Sequence, residues 1–134
     1  MLTPVPLLII PLALFNIVAF LTPSLDWSSQ LALISMLSGA QWKITLAEAF
    51  VAVCLLFLFF EIIKSTRISS RSLIDHMLSI LLFVVSLAEF LLVAQAGNSV
   101  FALLLCVMLV DVVAGFSVSI RVAQRDLAVR PDAA

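Results

Sequence analysis

Long unbroken apolar runs dominate this chain, and short polar breaks set them apart. Four runs lie near residues 4–23, 43–63, 73–95 and 100–120. Each matches the length of about 20 residues that a helix needs to cross a hydrocarbon core of roughly 30 Å. The pattern predicts an all-α fold, an integral membrane antiparallel four-helix bundle forming one domain over residues 1–134. The break Ala96-Gly-Asn-Ser99 is so short that spans three and four must form an antiparallel hairpin. Pro11 lies inside span one and cannot donate to the Leu7 carbonyl, which predicts a kink there.

Residues 24–42 break the rhythm. The apolar run from Gln30 to Gly39 would make a helix of only about 15 Å, too short to cross alone. Asp26 or Ser28 is suited to cap its start and Gly39 to end it, and Trp27 and Trp42 flank it. Because Trp favours the membrane–water boundary, the segment 28–39 reads as a short interfacial helix on the outer face, with Trp27 and Trp42 as anchors. The rival reading starts span two near Ser29 and runs it to Ile63, a helix of about 50 Å.

Composition reinforces the membrane reading. The chain is 64% hydrophobic and 11% charged, against roughly half and a quarter in soluble domains. Little chain is left over for a soluble catalytic domain. A net charge of −1 and a pI near 5.6 argue against a nucleic-acid partner. The first run lacks the positive n-region of a removable signal peptide and reads as a retained crossing. Lys64, Arg67 and Arg71 fall in the loop 64–72, and Arg121, Arg125 and Arg130 in the tail 121–134. Short cytoplasmic loops are enriched in such residues, so both clusters and both termini are expected on the cytoplasmic side, in a bacterial inner membrane. Arg121 and Arg125 serve as interfacial anchors on that reading, each worth about 1 kcal/mol near anionic lipid.

Acids inside the runs are the candidate chemistry, since each costs about 2.5–3.5 kcal/mol to insert. Three have simple explanations. Ser72 and Asp75 have capping-box spacing, as do Thr45 and Glu48, and Glu61 lies one turn from Lys64 as a boundary ion pair. Glu89 and Asp111 are expected about 9 and 16 Å below the outer boundary, with no Lys or Arg inside any span. Asp75, Ser79, Leu82, Ser86 and Glu89 share one stripe of span three. Asp111, Gly115 and Ser119 follow at intervals of four, and Gly115 and Ser119 read as a small-residue helix-packing face. If the stripes converge, Asn16, Ser86, Glu89 and Asp111 meet in the interior with Glu48 above them. Such a cluster suits a proton or cation. It equally suits protonated acids gluing helices together, or a partner's basic residue set opposite Asp111.

Other side chains offer less. Cys54 and Cys106 are isolated, and the single histidine, His76, supplies half of a paired haem ligation at most. No nucleophile–base pair, phosphate loop or metal-ligand spacing appears, so no enzyme activity, cofactor or metal is expected. Size and layout resemble the small multidrug-resistance transporters, which implies a dimeric, proton-coupled carrier. Those proteins carry their essential Glu in the first helix, whereas span one here holds Asn16 and no acid, so membership is not inferred. The leading expectation is a small membrane protein of transport or pore type handling a proton or cation. The alternative is a non-catalytic accessory subunit or assembly factor that docks another membrane protein through its small-residue face. Expected partners are the lipid bilayer and either further copies of the chain or a membrane-protein partner, not nucleic acid.

Overall fold

The structure, a computed structural model, describes residues 5–66 and 70–129. Arg67, Arg130 and Pro131 lie outside the described residues, as do the side chains of Arg71, Ser72 and Ser119. Helix α1 (Ile9–Leu21) leads to strands β1 (Gln30–Ser35) and β2 (Gln41–Thr45). Helices α2 (Leu46–Ser65) and α3 (Ser70–Leu92) follow, then a 3-10 turn (Ala94–Ala96) and α4 (Ser99–Val129). The fold is mostly helical. Leu46–Ser65, Leu73–Leu92 and Ser99–Val118 are each 20 residues long and apolar enough to cross a membrane. Helix α1 is apolar but shorter, at 13 residues.

The segment expected to form a helix over 28–39 is instead the first half of an antiparallel hairpin. The deciding signal is period two: Gln41-Trp-Lys-Ile-Thr45 alternates polar and apolar, and its Trp and β-branched residues suit a strand. Between the strands, Gly39 has φ +92°, which a side chain would strain, and Met36 N–H donates to the Ala40 carbonyl at 2.9 Å to close the turn. The register pairs Ala32 with Ile44, Leu33 with Lys43, Ile34 with Trp42 and Ser35 with Gln41, with a bulge between Gln30 and Ala32. The rival 50 Å helix fails for the same reason, because β2 occupies its first turns. At the root of the hairpin the Asp26 carboxylate accepts from the Ser28 hydroxyl at 2.7 Å and the Ser28 amide at 3.0 Å. Those bonds hold its carboxyl below the usual carboxylate range.

Two other boundaries shift. Span one was expected over 4–23, yet helix begins only at Ile9, which puts Pro11 in the first turn. Its missing N–H has no helical partner to lose there, so no kink is required. Helix α3 already includes Ser70, so Ser72 sits within the helix rather than capping it. Helix α4 runs through the span 100–120 and on to Val129, so Arg121, Gln124 and Arg125 continue it as a polar extension, as the sequence suggests.

Helix α4 is the central element and packs against α2 and α3. At one end, here the hairpin end, an aromatic cluster ties the elements together. Phe15 stacks on Trp27 with centroids 5.5 Å apart and meets Phe101 edge-on at 4.9 Å. Phe50 adjoins Trp27 at 5.5 Å, and Phe90 stacks on Phe101 at 6.2 Å. Trp27, expected as an interfacial anchor, is therefore half-buried in this cluster, whereas Trp42 is exposed. The other end, where α2 hands over to α3, is the loop end.

Candidate functional site

Helix α3 is built with its polar side inward. Asp75, His76, Ser79 and Ser86 are buried, while Ile74, Met77, Leu81, Val84, Val85 and Leu92 are exposed. The expected polar stripe is thus the face turned to the rest of the bundle. On α2 the inward face is Cys54, Leu58, Glu61, Lys64 and Ser65, and Leu55, Leu56, Phe59 and Phe60 point out.

At the loop end these inward faces converge on Asp111 of α4. The Ser79 hydroxyl donates to the Asp111 carboxylate, and Glu61, Asp75 and Lys64 all lie close enough to act on its charge. Lys64 Nζ sits 2.9 Å from Glu61 Oε1 and 3.2 Å from Asp75 Oδ1. The Asp75 contact is ionic only, since its Oδ1 is not aligned with any donor for a hydrogen bond. Glu61 is 2% exposed, Asp75 and Asp111 5% each, and Lys64 7%. Three carboxylates thus share one ammonium out of contact with solvent. Removing so much charge from water is costly unless a further positive group completes the balance.

The same pair also holds the chain that precedes α1. Lys64 Nζ donates to the Val5 carbonyl at 2.6 Å, and the Leu7 N–H donates to Glu61 Oε1. Non-helical backbone is expensive wherever water is excluded. Here charged side chains from α2 supply the partners that a helix would otherwise provide, and α1 has no side-chain cap of its own.

The sequence-derived site divides accordingly. Asp111 is buried as expected, but Glu89 does not join it. Ser79 meets Asp111, and Glu89 lies ten residues further along α3, a separation of about 15 Å. Glu89 instead accepts from Asn16 Nδ2 at 3.4 Å, and the same amide donates to the Leu12 carbonyl at 3.0 Å. Ser86 is fully buried, and its hydroxyl has no hydrogen-bond partner. Glu48 is exposed and engaged in a reciprocal capping box with Thr45. It takes no part in the interior.

The Glu61–Lys64 ion pair expected from the sequence is present, but it is buried in the cluster. Both were expected at a wet boundary, and no cation was expected beside Asp111. The missed signal was the spacing Cys54, Leu58, Glu61, Ser65, a 4-3-4 stripe that carries Glu61 onto the buried face. Gly115 faces inward too. A Cβ there would stand 3.1 Å from His76 Cε1 and 3.6 Å from Ser65 Cβ. The small-residue face is therefore occupied at Gly115 by α3 and α2 of the same chain. Arg121 and Arg125 lie exposed on the extension of α4.

Two other features complete the picture. A cavity of 130 Å³ at the hairpin end is lined by Thr22, Trp27, Gln95 and Asn98 among others, but its Thr22 hydroxyl and Asn98 amide are spent locally. The Thr22 hydroxyl donates to the Val18 carbonyl and Asn98 Oδ1 accepts from the Phe101 N–H. Among the described residues, no three His, Cys, Asp or Glu side chains are grouped so that they could hold a metal ion. No family model, curated protein or solved structure matches the chain.

Proposed function

We propose that this chain is an integral membrane protein of transport or pore type whose interior acid cluster binds and releases a proton. Helices α2, α3 and α4 are the full crossings. Helix α1 makes the fourth with the help of residues 5–8, whose backbone finds partners in Glu61 and Lys64. The inverted build of α3 supports the membrane reading. A helix that exposes Leu, Val and Met and buries Asp, His and Ser suits a hydrocarbon solvent and would be unstable in water.

The observation that carries the function is Asp111 buried beside Glu61 and Asp75 with Lys64 as the shared cation. Among the described residues, Lys64 is the ammonium in contact with Glu61 and Asp75, and the three buried carboxylates outnumber it. Binding one proton lowers the buried charge, and its release restores it, so the cluster is poised to change protonation rather than to stay fixed. A metal ion is a poorer fit, because the three acids do not assemble as ligands. Glu89 with Asn16 forms a second polar contact nearer the hairpin end and is a candidate way-point.

A conducting path is expected to need a second copy or a rearrangement of the segment before α1. The chain is assigned to a bacterial inner membrane. Arg67, Arg71, Arg121, Arg125 and Arg130 set the loop end and both termini in the cytoplasm even though Lys64 is consumed internally. The accessory-subunit alternative is weakened because Gly115 already packs within the chain.

The test is proton flux in proteoliposomes loaded with a pH-sensitive dye. Wild-type protein is expected to dissipate an imposed pH gradient. Asp111→Asn should abolish that flux, and Glu48→Gln should leave it intact. Equal flux from wild type and Asp111→Asn would overturn the proposal.

A further inference from the structure

Among the described residues, the β1–β2 hairpin is covered only towards its root, where Ala32, Ile44 and Thr45 are half-buried and β2 meets α2. In an antiparallel pair, directly opposed residues share a face, so the register sets Ala32, Ile34, Trp42 and Ile44 together on one side. Leu33, Ser35, Gln41 and Lys43 share the other. Ile34 and Trp42 are exposed on the first face, and Leu37 at the tip is fully exposed. Isolated two-stranded hairpins are marginal in water, and one that also exposes Ile34, Trp42 and Leu37 is worse placed still. Something apolar covers it.

We infer that the covering surface is lipid: the hairpin lies in the boundary of the membrane leaflet at its end of the bundle, with the Ala32–Ile34–Trp42–Ile44 face against acyl chains and Lys43 toward the phosphates. This rests on the membrane reading above and extends it to a lipid-binding surface outside the crossings. Three observations select lipid over a second copy. First, β2 passes directly into α2, with Thr45 the last strand residue and the helix cap at once. The hairpin is therefore tethered where the exposed apolar surface of α2 begins, and the two apolar surfaces are continuous. Second, both outer edges of a two-stranded sheet have unpaired backbone groups, which excludes the hydrocarbon centre and suits the headgroup layer. Third, the bulge in β1 and the charge of Lys43 in β2 blunt those edges against pairing with another hairpin. Trp42 fits the same location, since its ring is apolar and its N–H needs a polar partner.

The chain has two tryptophans, so fluorescence reads the hairpin directly. Wild type and Trp42→Phe are reconstituted in phosphatidylcholine–phosphatidylglycerol vesicles, and the difference spectrum isolates Trp42 without disturbing Trp27 in its aromatic cluster. The expected result is blue-shifted Trp42 emission, quenched more by acyl chains brominated near the carboxyl end than near the methyl end, and shielded from aqueous iodide. Red-shifted emission open to iodide and untouched by brominated lipid overturns the inference. So does emission shielded from both quenchers together with efficient disulfide cross-linking of Leu37→Cys between copies, which would identify the occupant as a second hairpin. Resistance to carbonate extraction is measured alongside. A chain that resists extraction while Trp42 lies in water sinks the hairpin inference alone, whereas a chain released by carbonate sinks the membrane reading as well.

Discussion

The two ends of the bundle solve one packing problem in opposite ways. At the hairpin end, Phe15, Trp27, Phe50, Phe90 and Phe101 interlock through ring contacts, with the Glu89–Asn16 contact beside them. At the loop end, Glu61, Lys64, Asp75, Ser79 and Asp111 fill the equivalent space with ionic contacts and hydrogen bonds. In hydrocarbon, apolar rings gain nothing by transfer from lipid and hold helices by fit alone. A buried charge gains only while its partner is present, so the loop end is the brittle one. It is also the one whose energy can change with a single proton. The contrast separates a structural end from a responsive end, and mutations can test it.

The largest effect is expected at Lys64. Lys64→Met removes the cation that contacts Glu61 and Asp75 and also leaves the Val5 carbonyl without its donor. Breaking a buried pair on one side costs about 3–5 kcal/mol. Denaturant titration in detergent should register that loss at neutral pH, and acidification should recover part of it as the carboxylates take up protons. A loss independent of pH would mean that Lys64 acts through packing, and the contrast between the ends would fail.

Phe15→Ala is the matching test at the other end. Phe15 is completely buried and contacts Trp27, Phe50 and Phe101. In a bilayer the transfer part of the usual penalty is absent, so the cavity part remains, about 2 kcal/mol for a lost ring. The same titration should show this loss with no pH dependence. Proton flux, where the cluster supports it, should survive in this variant at temperatures where it stays folded.

The three long apolar helices were legible because length and hydropathy are summed over many residues and tolerate local error. The hairpin was not, since its apolar residues were counted as a run when their alternation mattered. Gln41-Trp-Lys-Ile-Thr45 carries the period of a strand, yet Leu31 to Leu37 alone fits either period. The site was half legible. Periodicity correctly turned Asp75, Ser79 and Ser86 inward together, because α3 is regular along its length. It could not say which residues of α2 and α4 lay opposite, since that depends on how far each helix slides along its neighbour. Asp111 was therefore matched with Glu89, whereas the packing matches it with Ser79, Asp75 and Glu61. Lys64 misled for another reason: a cation at a helix end normally reaches outward to water, and here the uncapped start of α1 gives it a backbone carbonyl to reach inward for.

Gly115 offers the finest probe of the responsive end, because it changes spacing without removing Lys64 or any of the three acids. It lies one turn beyond Asp111 on α4, where the helix approaches His76 and Ser65. An added methyl would come within 3.1 Å of His76 Cε1, and the imidazole is itself set edge-on to Phe116 with centroids 5.9 Å apart. Little room is left for the ring to retreat, so α4 must move away from α3 by a few tenths of an ångström. Overpacking of this kind costs about 1–3 kcal/mol, and the helix propensity of Ala returns up to about 1 kcal/mol. The net loss expected for Gly115→Ala is therefore about 1 kcal/mol, the smallest of the three. Its effect on the cluster should outrun that loss, since the Ser79–Asp111 bond spans the same α3–α4 seam and weakens as the helices part. Measured across pH, Gly115→Ala should shift the proton-flux profile while unfolding barely changes. If the profile stays fixed, the seam between α3 and α4 does not control the protonation of Asp111.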